Sequence, residues 1–371
     1  MGRRFIILVK WIGLSLFLGS LPVNAQLLQD TEALSLVKKD IDYIYNQQFN
    51  NAHEVYTKIA ESYPGHPIAL LLKGIMTYWE NYPMLHTSPS HFSFEEDMRA
   101  CIKLSEANTN KAYEAEYLLA DLCARGMLLT FYDDNDIIME VIPLTTSTYK
   151  HLRRAFNFTS VSADLYYFTG IYKYYREAYP KIYPVYKSLA LLFPHGDLEA
   201  GLKELQTAAA NSVVLRAESC YLLSLIYLGF ENKLPESLFY CKTLHEMYPE
   251  NMVYLSTYIR TLLLMKKYGE AEKLMSALPP EEENKYFQAQ MMILKGILKE
   301  KKYLDNNTAQ EYYNKGIRDI SLFGKYGNEY AAYAYFGLSR ISDANGEKQT
   351  RKTYRKEALK LADFKKINFD K

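Results

Sequence analysis

Apolar positions recur at intervals of three and four residues along most of the chain, the period of a helix with one buried face. The stretch 217–249 shows it most plainly. Cys220, Leu223, Ser224 and Tyr227 share one face of a first helix. Ser237, Cys241 and Leu244 share one face of a second, which stops at Tyr248-Pro249. A polar turn joins them, and small Ser224 and Ser237 mark where the two helices approach. Such a hairpin cannot bury its apolar face alone, so the pattern predicts copies on either side.

The copies can be followed in order. The first, 33–64, carries Leu36 and Tyr43, then Ala52, Tyr56 and Ile59. The second has Leu70 and Gly74, a loop from Tyr82 to His91, then Ala100, Leu104 and Ala107. The third begins near Ala112; Pro143 is expected to break its second helix, leaving a fresh one from Thr146 to Phe156. The fourth pairs Ala163–Tyr175 with Asp197–Ala210, Asp197 being the expected N-cap. The remaining hairpins are 217–249, 252–280, 286–318 and 330–362, the last helix running on towards Lys365-Lys366. Gly74, Gly170, Ser224, Gly296 and Gly337 fill the small slot, each expected against the second helix of its own hairpin. The fold class expected is all-α: a single right-handed α-solenoid of about eight hairpins over 26–371, without separate domains.

One segment departs from the pattern. The insertion 176–196 contains Tyr179-Pro180, Tyr183-Pro184 and Phe193-Pro194. Its apolar residues predict an extra helix near Val185 to Leu192 that folds back and narrows the groove, because long loops in compact folds are functional or disordered.

The spacing Leu223-Ser224-x2-Tyr227, followed by Ser237-x3-Cys241-x2-Leu244-x4-Pro249, resembles the tetratricopeptide repeat, L-G-x2-Y then A-x3-F-x2-A and P. Cys220 stands where that family has Trp, and the turn is one residue longer. The resemblance implies a concave groove lined by the first helices, in which the family holds extended peptides or helices. Carried over position by position, the groove consists of Tyr78, Tyr167, Ile171, Tyr174, Tyr175, Tyr221, Leu225, Leu228 and Arg260. The Lys and Asn residues with which some members clamp a chaperone's terminal carboxylate are absent from these positions, so that ligand is not expected.

Residues 1–25 look like an export signal of the Sec type. Arg3 and Arg4 precede a mostly apolar run from Phe5 to Leu21, and Val23-Asn24-Ala25 offers a cleavage site. Gln26 rather than Cys follows it, which argues against a lipid anchor. No second apolar span follows, so a protein of the periplasm or cell envelope of a Gram-negative bacterium is expected, similar in style to exported proteins of Bacteroidetes. Without Arg3, Arg4 and Lys10 the chain carries 41 basic against 43 acidic side chains, a balance that argues against nucleic acid as a partner. Tyrosine is abundant, with 34 residues, most of them expected in the large positions of the repeats.

Chemistry is sparse. The seven His residues form no HExxH, and His53-Glu54 and His245-Glu246 lack a further ligand at helical spacing. His86 and His91 share a loop but make a poor metal site by themselves. No phosphate-binding glycine loop and no GxSxG occurs. No enzyme, no metal and no cofactor is expected. Cys220 with Cys241, and Cys101 with Cys123, lie on consecutive helices and either pair could bridge, or all four could be small buried apolar residues. Two functions remain: a scaffold holding a protein or peptide segment in the groove, or a glycan- or nutrient-binding envelope protein that stacks sugars on tyrosine. Starch-uptake lipoproteins with tetratricopeptide-like helices prompt the second, but they carry a lipidated Cys and several Trp. Here Trp79 is the one Trp outside the signal.

Overall fold

The computed structural model describes residues 26–184, 187, 191, 193–278 and 284–362. Among them there are helices and no strands. The first half comprises α1 (Thr31–Tyr45), α2 (Phe49–Ser62), α3 (Pro67–Glu80), α4 (Ser90–Glu106), α5 (Glu114–Asp134), α6 (Ile138–Ala155), α7 (Leu165–Ile182) and α8 (Leu198–Asn211). Then come α9 (Arg216–Leu225), α10 (Leu234–Met247), α11 (Met252–Leu264), α12 (Tyr268–Ser276), α13 (Lys285–Lys301), α14 (Asn306–Ile320), α15 (Asn328–Ala344) and α16 (Lys348–Leu361). Each odd-numbered helix packs on the helix that follows it, and first helices also touch across repeats, α1 on α3 and α11 on α13 on α15.

Local chemistry sets the helix ends. Asp30, Asp197, Asn284 and Asp305 each accept a backbone N–H of the first turn, as N-caps do. The turns inside the hairpins share a left-handed residue: Gln47, Asp136, Asn232, Lys266, Leu304 and Gly346 all have φ between 54° and 74°. The N–H just beyond it returns to a carbonyl of the last helical turn, as in Gln48 to Tyr43 (2.9 Å) and Glu347 to Ser342 (2.9 Å), which satisfies an orphan carbonyl. Only one of the six is glycine, so the repeat is written in backbone conformation more regularly than in residue type.

The small slots act as close-approach points. Ser237 Oγ donates to Ser224 O at 2.8 Å. Gly170 and Gly201 bring the backbones of α7 and α8 together: a Cβ on either would lie 3.0 Å from the other's carbonyl oxygen. Gly74 faces Met98, and Gly296 faces the Tyr313 ring of α14. Gly337 departs from the expectation. It also meets Tyr313, on the preceding hairpin, so that one buried ring is held between two glycines. A leucine at Gly296 would start from a Cβ 2.7 Å from that ring. We expect Gly296→Leu to cost about 1–3 kcal/mol through overpacking; urea melts that superimpose on wild type would contradict this packing.

Two helix boundaries differ from the expectation. Pro143 lies inside α6, which begins at Ile138. The carbonyl that loses its partner belongs to Met139, 83 % exposed, so water takes over that bond. Likewise α7 continues through Pro180 to Ile182 rather than ending at Tyr175. The expected extra helix near 185–192 falls largely outside the described residues, as do the export signal, residues 1–25, and Lys365-Lys366.

The array also closes on itself. Asn251 Nδ2 donates to Tyr45 O at 2.7 Å, and the Tyr45 and Tyr248 rings lie 5.6 Å apart. Trp79 meets Tyr254 at 5.8 Å, and Tyr82 meets Tyr286 at 6.0 Å and Tyr326 at 5.7 Å. Lys325 Nζ reaches Asp133 Oδ2 at 2.8 Å. Aromatic side chains of α3 and of the loop after it therefore pack against α11, α13 and the 3-10 turn that precedes α15. No helix among the described residues is long and apolar enough to cross a membrane.

A tyrosine-lined inner face as candidate functional site

Residues four apart lie on one face of a helix. On α7 and just past its end these are Tyr167, Ile171, Tyr175, Tyr179 and Tyr183. The rings of Tyr175 and Tyr179 are 6.2 Å apart and those of Tyr179 and Tyr183 4.8 Å. Phe230, from a single π turn (Ile226–Phe230) that ends α9, lies 5.2 Å from Tyr175. Tyr179 is 38 % exposed, and Tyr167, Ile171 and Tyr175 are half-buried. Tyr221 and Leu225 on α9 are also half-buried.

The other expected groove residues are elsewhere. Tyr174 is fully buried and donates to Glu231 Oε1 at 2.6 Å, and burial and that carboxylate hold its hydroxyl well above the usual tyrosine range. Its face of α7 packs on Gly201 of α8, so truncating it would open the core. Leu228 lies within the π turn and is fully buried. Tyr78 is buried against Tyr82 and Phe94, where the array closes. Arg260, on α11, is only 5 % exposed. These four side chains are enclosed by the chain itself and do not form an open wall.

Depth shows in the acid–base behaviour of this inner face. Burial pushes the Tyr221 hydroxyl up to about 12. Glu218, one turn earlier on α9, is half-buried by surface, yet burial pushes its carboxyl up to about 8. Its Oε2 is enclosed and has no hydrogen-bond partner, which is the cause of that shift. Sequence reasoning left Tyr179 and Tyr183 off this face because it ended the helix before Pro180, and it missed Phe230 because the π turn that places it has no sequence mark. The four-residue tyrosine spacing across that proline was the signal that could have found the two tyrosines.

A second polar cluster lies on α4, α5 and α6. Glu106, Asp121 and His151 each offer one ligand atom, all within 4.8 Å of one another. His151 Nδ1 lies 2.7 Å from Asp121 Oδ2. Arg125 supplies the positive charge there, Nε donating to Asp121 at 2.8 Å and Nη2 to Glu106 at 2.7 Å. A guanidinium with both carboxylates in hand makes this a closed ion network rather than a vacant cation site.

All four cysteines are buried free thiols, so neither candidate bridge is formed. Cys101 Sγ points to Pro67 O at 3.2 Å, and Cys241 Sγ to Thr261 Oγ1 at 3.5 Å. Cys220 packs with one group of core side chains and Cys241 with another. Burial raises all four thiols and leaves them inert.

No family model, curated protein or solved structure matches the chain.

Proposed function

We propose that this chain is a non-enzymatic interaction scaffold, a right-handed array of about eight tetratricopeptide-like hairpins that holds a peptide segment on its inner face. The observation that carries the reading is the stripe of Tyr167, Ile171, Tyr175 and Tyr179. An ordinary outer helix face carries charged and polar residues; this one carries large amphipathic rings with partial exposure. Aromatic residues of that kind are enriched in protein-binding surfaces, since each offers a wide apolar area with a polar tip.

Ring orientation favours a peptide over a sugar. Tyr175 stands nearly edge-on to Tyr179 (70°) and to Phe230 (80°), while Tyr179 is closer to parallel with Phe230 (30°) and Tyr183 (39°), so the stripe presents ridges and slots beside one flatter patch. Ridges and slots suit alternating side chains of a bound segment. The test is a peptide-library selection on the purified protein beside a glycan array. Related apolar peptides that compete with one another are the expected outcome; saturable glycan binding with no peptide enriched would replace this reading with the sugar-binding one.

A further inference from the structure

Arg260 is buried, and its Nε and Nη2 have no hydrogen-bond partner. The Tyr330 ring lies 5.8 Å from its Cζ and offers a cation–π face, while the Tyr330 hydroxyl is itself bonded to Ser256 Oγ at 3.1 Å. A ring face does not replace acceptors. A buried guanidinium with empty donors is strongly unfavourable unless an anion completes it.

The empty atoms are informative. Nε and Nη2 form one edge of the guanidinium, spaced to grip both oxygens of a carboxylate. The same edge is filled elsewhere in this molecule: Arg340 Nε and Nη2 hold Glu300 Oε1 and Oε2 at 2.6 and 2.8 Å. Arg125 likewise places Nε on Asp121. Arg260 has the edge with no carboxylate bonded to it, although the charge of Glu329 on α15 acts on it. Of the tyrosines whose charges act on it most, Tyr330 and Tyr333 are buried and Tyr221 alone reaches the surface.

We propose that Arg260 is the receptor for a carboxylate carried by the bound segment, either its C-terminus or an Asp or Glu side chain. This rests on the reading of the inner face as a peptide groove. One arginine edge beside tyrosine would do the recognising, since the Lys and Asn positions of the clamp are not filled by those residues.

The probe is acetate, titrated against chloride at constant ionic strength, with thermal melts of wild type and Arg260→Met. Wild type is expected to melt higher as acetate rises. Arg260→Met is expected to melt above wild type without acetate, having lost an uncompensated charge, and to ignore acetate. A wild type insensitive to acetate, or an Arg260→Met variant with an unchanged response, overturns the proposal. Should the methionine variant fail to fold, Arg260→Lys serves: a point charge cannot form the two-toothed edge, so its acetate response should shrink, and a full response overturns the proposal. Selected peptides are then compared as C-terminal acid and amide, and with Asp and Glu changed to Asn and Gln. Loss of about tenfold or more in one arm identifies the source of the carboxylate; no loss in either arm overturns the proposal. An acetate response without peptide binding defeats the groove reading and leaves the anion site standing. Peptide binding without dependence on Arg260 defeats the anion site alone.

Discussion

Replacing Arg340 with Met is expected to destabilise the protein by about 3 kcal/mol or more, because it strands a buried carboxylate. Glu300, only 7 % exposed, accepts two hydrogen bonds from Arg340 and one from the Tyr313 hydroxyl at 2.6 Å. Burial alone would raise its pKa; the hydrogen bonds and charge of Arg340, with Tyr313, outweigh burial and hold it below the ordinary glutamate value. Stability from this group is therefore present above the unfolded pKa and is lost as pH falls through the folded one. Lys301 Nζ, 3.3 Å from Glu300, remains in the variant and keeps the cost towards the lower end. The double variant Glu300→Gln with Arg340→Met should recover part of the loss, since no charge is then stranded. Denaturant unfolding at pH 7 measures both; a single variant as stable as wild type would show that the pair contributes nothing net.

Asp40→Asn is expected to do the opposite and stabilise. Asp40 is fully buried on α1 and neither carboxylate oxygen has a partner. Burial pushes its pKa from 3.8 up to about 8. Lys73 stands nearby but is taken by Asp97 at 2.9 Å, and Tyr56 feels all three charges without offering a counter-charge. For a group whose folded pKa is raised, the favourable contribution is complete below the unfolded value and is lost as pH rises through the folded one. Between pH 4 and 8 wild type should thus lose stability, by about 4 kcal/mol from this residue at pH 7. Glu218, also pushed up to about 8, adds a slope of the same sign. The Asn variant should lose the Asp40 share of the slope while keeping that of Glu218, Asp42 and Asp164, and exceed wild type most at pH 8. Urea melts at pH 5 and pH 8 decide it; parallel shifts at the two pH values would mean that Asp40 does not titrate in this window.

Much of the architecture could be read from apolar spacing and small residues. Ser224, Gly170 and Gly296 sit where helices touch because nothing larger fits, and that constraint acts on residue type. The turns were not legible in the same way. Gln47, Lys266 and Leu304 adopt φ near 55–59°, a conformation imposed by hairpin closure and unmarked by glycine. Pro143 misled as a helix end for a related reason: the carbonyl it strands belongs to exposed Met139, and such a proline costs less than one in a core. The inner face was legible as a stripe but not in depth. Tyr174 and Tyr175 are neighbours in sequence, yet one faces α8 and is sealed while the other keeps part of its ring exposed. The closure that buries Tyr78 depends on contacts such as Tyr82 to Tyr286, about two hundred residues apart, which no local pattern encodes.

The central claim is that the ligand is held on the tyrosine stripe of α7. It is tested most directly by the affinity of a selected peptide for Tyr175→Ser with Tyr179→Ser, beside a control pair, Phe239→Ser with Leu304→Ser, that removes apolar side chains 63 % and 80 % exposed. The stripe variant should bind on the order of a hundredfold more weakly, as loss of two aromatic anchors implies, while its circular dichroism stays that of wild type and the control binds normally. Full affinity in the stripe variant, or loss confined to the control, would contradict the account.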